Sequence, residues 1–150
     1  MSAELTEDQA MIAETARAFA YERLRPNAAR WEDEGLDRAV LKELGALGFA
    51  GIYVAEEYGG SGLTRLDAAL IFEQLSRGDI ATAAFLSIHN MCSWMIDSFA
   101  NDEQRAHWLP KLTSMEKIAS YCLTEPGSGS DAAALRTSAK ADGNAHYVIN

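Results

Sequence analysis

Helix-start signals recur through the first hundred residues, and they constrain the fold more than any other feature of the chain. Thr6 with Gln9 and Thr64 with Asp67 have capping-box spacing, Asn101 with Gln104 opens a further helix, and Asp37 and Asp79 stand where N-caps are expected. Apolar residues follow these starts at helical spacing. Ile12, Ala16, Phe19 and Ala20 form one stripe, bounded by Pro26. Val40, Leu41, Leu44 and Leu47 form the next, with Gly48 as its stop. Leu66, Leu70, Ile71, Phe72 and Leu75 cover a wide arc, as in a buried helix, and Gly78 ends it. The segment from Ile80 to Phe99 is long enough to test as a membrane span. Ser87, His89, Asn90, Ser93, Asp97 and Ser98 interrupt it, so a central bundle helix is expected instead. Pro110 is expected to end the last helix and open a further turn.

Beyond residue 117 the period changes. Residues 118–124 read as a strand with Ala119, Tyr121 and Leu123 on one face. A loop of turn residues follows to Asp131, and Ser138 to Asn150 reads as a hairpin turning near Asp142-Gly143-Asn144. The expected organisation is mainly α: a helical bundle domain over 1–117, then the first strands of an incomplete β-domain over 118–150. Stopping there would leave strand edges unpaired, which suggests the front part of a longer protein. The run Phe49 to Val54 fits either a short strand or an extended connection.

Composition excludes several functions. The formal charge of −9 argues against nucleic acid and against an anionic membrane surface, both of which call for a basic face. Hydrophobic residues at 48% and charged residues at 23% describe an ordinary globular chain. Cys92 and Cys122 form no disulfide framework and fit a reducing compartment. His89, His107 and His146 lack ligand spacing, so no metal site is expected. His89 reads as a hydrogen-bonded core residue, Trp31, Trp94 and Trp108 as packing or interface groups, and Glu32-Asp33-Glu34 as a solvated face. The acidic N-terminus has no apolar core and does not resemble a secretory or transit signal.

Two glycine-rich loops could carry chemistry. Tyr58-Gly59-Gly60-Ser61-Gly62 suggests a phosphate cradle, but it has neither P-loop nor Rossmann spacing, and a plain connector is the simpler account. The segment Tyr121–Asp131 is more informative. It combines Gly127 and Gly129, the hydroxyls of Thr124, Ser128 and Ser130, and a rigid Pro126. Glycines let backbone amides approach a ligand closely, and successive N–H groups can hold an anion. No lysine or arginine lies in this loop, so neutral dipoles would do the holding. The competing account is a connection built from turn residues.

Residues 121–131, Tyr-Cys-Leu-Thr-Glu-Pro-Gly-Ser-Gly-Ser-Asp, closely resemble the flavin-binding signature of acyl-CoA dehydrogenases. The likeness extends to residues 56–62, to 101–105 with Leu109-Pro110, and to the hairpin ending in 146–150. The stretches Ser87–Cys92 and Thr113–Lys117 are most similar to the branch of that family acting on isobutyryl-CoA. The resemblance implies FAD-dependent α,β-dehydrogenation of a short branched acyl-CoA, electrons leaving to an electron-transfer flavoprotein, and a homotetramer. It implies that Tyr121, Leu123 and Thr124 lie along the flavin ring, and that Gly127 belongs to the same cofactor-binding set. Gly129 and Ser130 would lie near the FAD phosphates, with Ser130 also touching the CoA part of the substrate. Ala83, Ser87 and Met91, spaced by four on the central helix, would face the acyl chain; core packing is the rival account of these three. The family's catalytic glutamate lies further along than residue 150, Glu125 receives no such role, and these residues alone are expected to turn over nothing. An acyl-CoA oxidase or monooxygenase of the same fold, or a non-catalytic helical interaction module, are the alternatives. The resemblance implies a cytoplasmic protein in a bacterium, or a mitochondrial matrix protein in a eukaryote once a presequence is removed.

Overall fold

A computed structural model describes residues 4–143 and 146–150. The chain divides into two units, 1–120 and 121–150.

The first unit is helical: α1 (Glu7–Phe19), α2 (Ala28–Glu34), α3 (Arg38–Ala46), α4 (Arg65–Ser76), α5 (Ile80–Phe99) and α6 (Asp102–Thr113). The starts follow the capping signals. Thr6 accepts from the Gln9 N–H while the Gln9 side chain returns to the Thr6 N–H, and Thr64/Asp67 and Asn101/Gln104 form the same reciprocal pair. Asp37 and Asp79 cap α3 and α5. Such pairs satisfy amide donors that have no partner inside the helix. Gly48 stops α3 from just beyond it. It adopts φ +79°, which lets the Phe49 N–H bond the Leu44 carbonyl at 2.9 Å and close the helix end. One π-helical turn, Ala20–Leu24, follows α1 and leads to Pro26.

Pro110 does not end α6; the helix runs through it to Thr113. Proline forfeits the bond to the carbonyl four residues back, here that of Ala106, which is exposed and can be hydrated. Among these helices α4 packs against both α1 and α5, and α5 also packs against α6. Leu24, Leu44, Ile71, Leu75 and Leu86 are fully buried there. The arc of α4 is narrower than its sequence suggests, because Leu66 faces solvent while Ala68, Ile71 and Leu75 turn inward.

Residues 49–54 form a buried, turn-rich connection. Its backbone is satisfied by Asn90 of α5, whose Oδ1 accepts from the Ile52 N–H and whose Nδ2 donates to the Phe49 carbonyl, both at 2.8 Å. The 58–62 loop is a connector. All five of its amides donate to backbone carbonyls, so none is free for a phosphate. A Cβ at Gly60 would lie 2.0 Å from the Val54 carbonyl oxygen, so only glycine fits there.

In the second unit, β1 (Ala139–Asp142) and β2 (His146–Ile149) pair antiparallel, Ala139 opposite Ile149 and Asp142 opposite His146. Of the expected hairpin turn, Asn144 lies outside the described residues. Both strands are exposed on both faces. The expected strand over 118–124 does not form: among the described residues no segment pairs with it, and without a ladder partner an apolar alternating run stays an unassigned extended segment. Ile118 to Ser120 belong to the first unit. No helix among the described residues is long and apolar enough to cross a membrane.

Candidate flavin loop and the α5 face

Within the second unit, Pro126 and Gly127 occupy the tip of a tight turn. Glu125 and Ser128 close it with two backbone bonds, 2.9 and 3.1 Å. The Ser128 hydroxyl is spent on the Asp131 carbonyl, which makes Ser128 the buried anchor of the loop. Glu125 is clamped from outside it. Its two carboxylate oxygens accept from the Arg136 and Thr137 amides, each at 2.8 Å. The bonds from Thr137, and then from Arg136, hold its carboxyl below the usual range. A carboxylate engaged in this way is a poor proton acceptor. Sequence reasoning missed this clamp, because nothing in a spacing of eleven and twelve residues marks it.

The rest of the loop is uncommitted. Among the described residues, the amides of Leu123, Thr124, Gly127, Gly129 and Ser130 donate to no protein acceptor, and neither the Thr124 nor the Ser130 hydroxyl has a partner. Tyr121 and Leu123 are 41% and 36% exposed, large for apolar side chains. Gly127 and Gly129 do not adopt positive φ. A Cβ at Gly127 would meet nothing within 4 Å, and one at Gly129 only the Thr124 methyl at 3.9 Å. The backbone therefore does not need glycine at either position, in contrast to Gly60. Free amide donors, two free hydroxyls and open space over the glycines fit a cofactor with a polar ring edge and phosphates.

In the first unit, the three expected α5 residues divide. Ala83 belongs to the hydrophobic core. Ser87 and Met91 are half-buried, and the Ser87 hydroxyl bonds back to the Ala84 carbonyl at 2.7 Å. Beside them an apolar cavity of about 320 Å³ opens between Ala84, Phe85 and Ile88 of α5 and residues 118–120. Sequence spacing singled out the 83–87–91 row, whereas this opening lies on the neighbouring 84–88 row. The offset follows from the Ile118–Ser120 segment, whose path along the helix is a tertiary fact.

His89 fixes that path. It is fully buried and takes both its hydrogen bonds from distant backbone: Nε2 lies 3.1 Å from the Leu112 carbonyl, and Nδ1 accepts from the Ala119 N–H at 3.2 Å. That pair of partners requires the neutral Nε2–H tautomer. Burial also pushes the imidazole below its ordinary value, with the Leu112 bond opposing. No group of three or more His, Cys, Asp or Glu side chains among the described residues could hold a metal ion.

Residues 6–116 match the family "Acyl-CoA dehydrogenase, N-terminal domain". The chain belongs to the acyl-CoA dehydrogenase family. It is 55% identical over 147 residues to the mitochondrial isobutyryl-CoA dehydrogenase of Dictyostelium discoideum, and 48% identical over 147 residues to that of Bos taurus. Each match takes in 97% of this chain and 35% of the relative, so the chain spans about a third of the length of these acyl-CoA dehydrogenases. A glutaryl-CoA dehydrogenase from Mycobacterium smegmatis, solved in complex with FADH2, superposes with a TM-score of 0.89 at 33% identity, over 97% of this chain and 38% of its own. The family match ends at residue 116, so the 121–131 loop lies outside it while inside the span shared with the isobutyryl-CoA dehydrogenase relatives.

Proposed function

We propose that the protein carrying this chain is an FAD-dependent dehydrogenase of a short branched acyl-CoA, with isobutyryl-CoA preferred, and that it passes electrons to an electron-transfer flavoprotein. The observation that carries this reading is the contrast between two glycine-rich loops. Loop 58–62 spends every amide on the fold, whereas loop 121–131 keeps the amides of Leu123, Thr124, Gly127, Gly129 and Ser130, two hydroxyls and two unneeded glycines free among the described residues. The 55% identity to an isobutyryl-CoA dehydrogenase supports the choice of substrate.

FAD, when bound, supplies the two-electron acceptor for the hydride leaving the substrate's β-carbon. Tyr121 and Leu123 offer apolar surface to the ring, and Thr124 with its neighbouring amides donates to the ring's polar edge. Donors aimed at that edge favour added negative charge and so raise electron affinity. Gly127 and Gly129 let the backbone approach, and Ser130 donates to phosphate oxygens and to the CoA portion of the substrate. In the first unit, Ser87 and Met91 meet the acyl chain beside the apolar cavity of α5, while Ala83 supports that face from the core. A branched acyl group suits the adaptable Met91 side chain. Glu125 is not the group that abstracts the substrate proton, since both its carboxylate oxygens are held by amides.

Gly127→Ala separates cofactor binding from folding. The full-length variant should keep its melting temperature within about 2 °C, because the added methyl meets nothing, yet bind FAD at least about tenfold more weakly by flavin fluorescence titration. Unchanged FAD affinity would remove the loop from the cofactor site. Substrate class is read by flavin bleaching: isobutyryl-CoA must outperform butyryl-CoA, and turnover must depend on an electron-transfer flavoprotein and not on oxygen.

A further inference from the structure

Eleven of the chain's lysines and arginines lie in residues 1–120. Five are ion-paired: Arg17 with Glu14, Arg23 with Glu43, Arg30 with Glu34, Arg77 with Glu73, and Arg105 with Asp97 and Asp102. Three more lie over aromatic rings: Arg25 on Tyr21, Arg65 on Tyr53 and Trp94, and Lys111 on Trp108. Arg38, Lys42 and Lys117 remain, with no acidic or aromatic partner among the described residues, and all three line one cavity of about 550 Å³ with Met115, Glu116 and Ile118.

That convergence runs against the electrostatics of the rest of the molecule. Acids outnumber bases in a chain of net charge −9, yet the three cations of residues 1–120 that have no acidic or aromatic partner among the described residues gather in one place. Arg38 is the first residue of α3, where the helix dipole favours negative charge. Lys42 follows one turn later, a like-charge pair at the i,i+4 spacing that is mutually unfavourable. Lys117 adds a third positive charge, and Glu116 is the single acid in the wall. The amides of Glu116 and Ile118 donate to no protein acceptor among the described residues. A concave site with one guanidinium, two ammonium groups and nearby free amides matches a compact, multiply charged oxyanion. The guanidinium fork pairs two oxygens while the ammonium groups act as point charges.

The geometry points to an anion site in the first unit, in which Arg38, Lys42 and Lys117 bind a small anion of the diphosphate class. The site does not depend on the flavin reading, since it uses none of the loop residues and its test needs no turnover. Full-length, flavin-loaded protein is titrated with inorganic pyrophosphate by calorimetry, in parallel with the double variant Lys42→Gln/Lys117→Gln and with the control Arg77→Gln, which removes a paired cation elsewhere. The three substituted side chains are exposed, and circular dichroism checks that each variant folds. Pyrophosphate should bind the parent and the control alike, and the double variant at least about tenfold more weakly. Coenzyme A, titrated in the same proteins, distinguishes the source. Weakening of both ligands in the double variant means a nucleotide-borne diphosphate, and weakening of pyrophosphate alone means a free one. Equal pyrophosphate affinity in all three proteins, or no saturable binding in the millimolar range, overturns the site. So does an oligoglutamate peptide that binds in place of pyrophosphate and is lost in the double variant, because it would make the cluster a protein-docking surface.

Discussion

At the scale of single residues, His89 shows how a polar side chain earns a place in the core. Both of its ring nitrogens are used, and each ties a different backbone segment to α5. Replacing it with Phe leaves the Ala119 amide unpaired and takes one donor from the Leu112 carbonyl, which keeps the Met115 N–H; the loss should be about 1–3 kcal/mol in chemical denaturation. His89→Gln, which can still reach one partner, should cost less. The pH dependence has a definite sign. The folded-state value lies below the ordinary 6.5, so the unfolded chain takes up the proton first. Stability from this group is complete above about pH 7 and falls as pH drops through 6.5 towards the folded value. The loss of stability between pH 7 and 5 should shrink in His89→Gln; an unchanged slope would assign it to other groups. The carboxyls of Glu14, Glu43, Asp67 and Glu125 are also held low, but their contributions are lost only in more acidic solution. The buried histidine was legible as a core residue from its place on an apolar helix. Its partners, twenty-three and thirty residues away, were not, because both are main-chain groups that no residue identity announces.

Among the elements, helix starts were the most legible part of the chain. A cap acts within three residues of its own position, so local sequence carries the whole interaction. Asp67 shows where that locality ends. It completes the α4 capping box through Thr64, and the same carboxylate accepts from Gln9 Nε2 at 3.1 Å, joining the caps of α1 and α4. Asp67→Ala should therefore cost about 2 kcal/mol, more than the roughly 1 kcal/mol of an isolated cap such as Asn101→Ala. Equal losses in urea denaturation would mean that the Gln9 bond contributes nothing. Two readings at this scale failed for the same reason. Pro110 was expected to stop α6 and residues 118–124 to form a strand. Both outcomes depend on surroundings: the exposure of Ala106, whose carbonyl proline leaves without a helix donor, in the first case, and the absence of a pairing segment among the described residues in the second.

For the whole molecule, the division into two units is also a division of stability. Among the described residues, the buried apolar side chains belong to 1–120, while in 121–150 Ser128 alone is buried and both strands are exposed. A chain ending at Ser120 should melt within about 3 °C of the 150-residue chain, with its far-UV helical signal retained. A larger drop would show that the second unit contributes to the stability of the helical one. The same division separates what was readable. Apolar periodicity and caps determined the helical part, because each helix buries a stripe that recurs every three to four residues, and the family was legible in unbroken runs of residues. Tertiary structure alone decided which glycines the backbone requires, that Glu125 is clamped by Arg136 and Thr137, that the opening beside α5 lies on the 84–88 row, and that Arg38, Lys42 and Lys117 share one cavity. Those facts rest on groups distant in sequence and brought together only by packing, and a pattern read within a few residues holds no record of such neighbours.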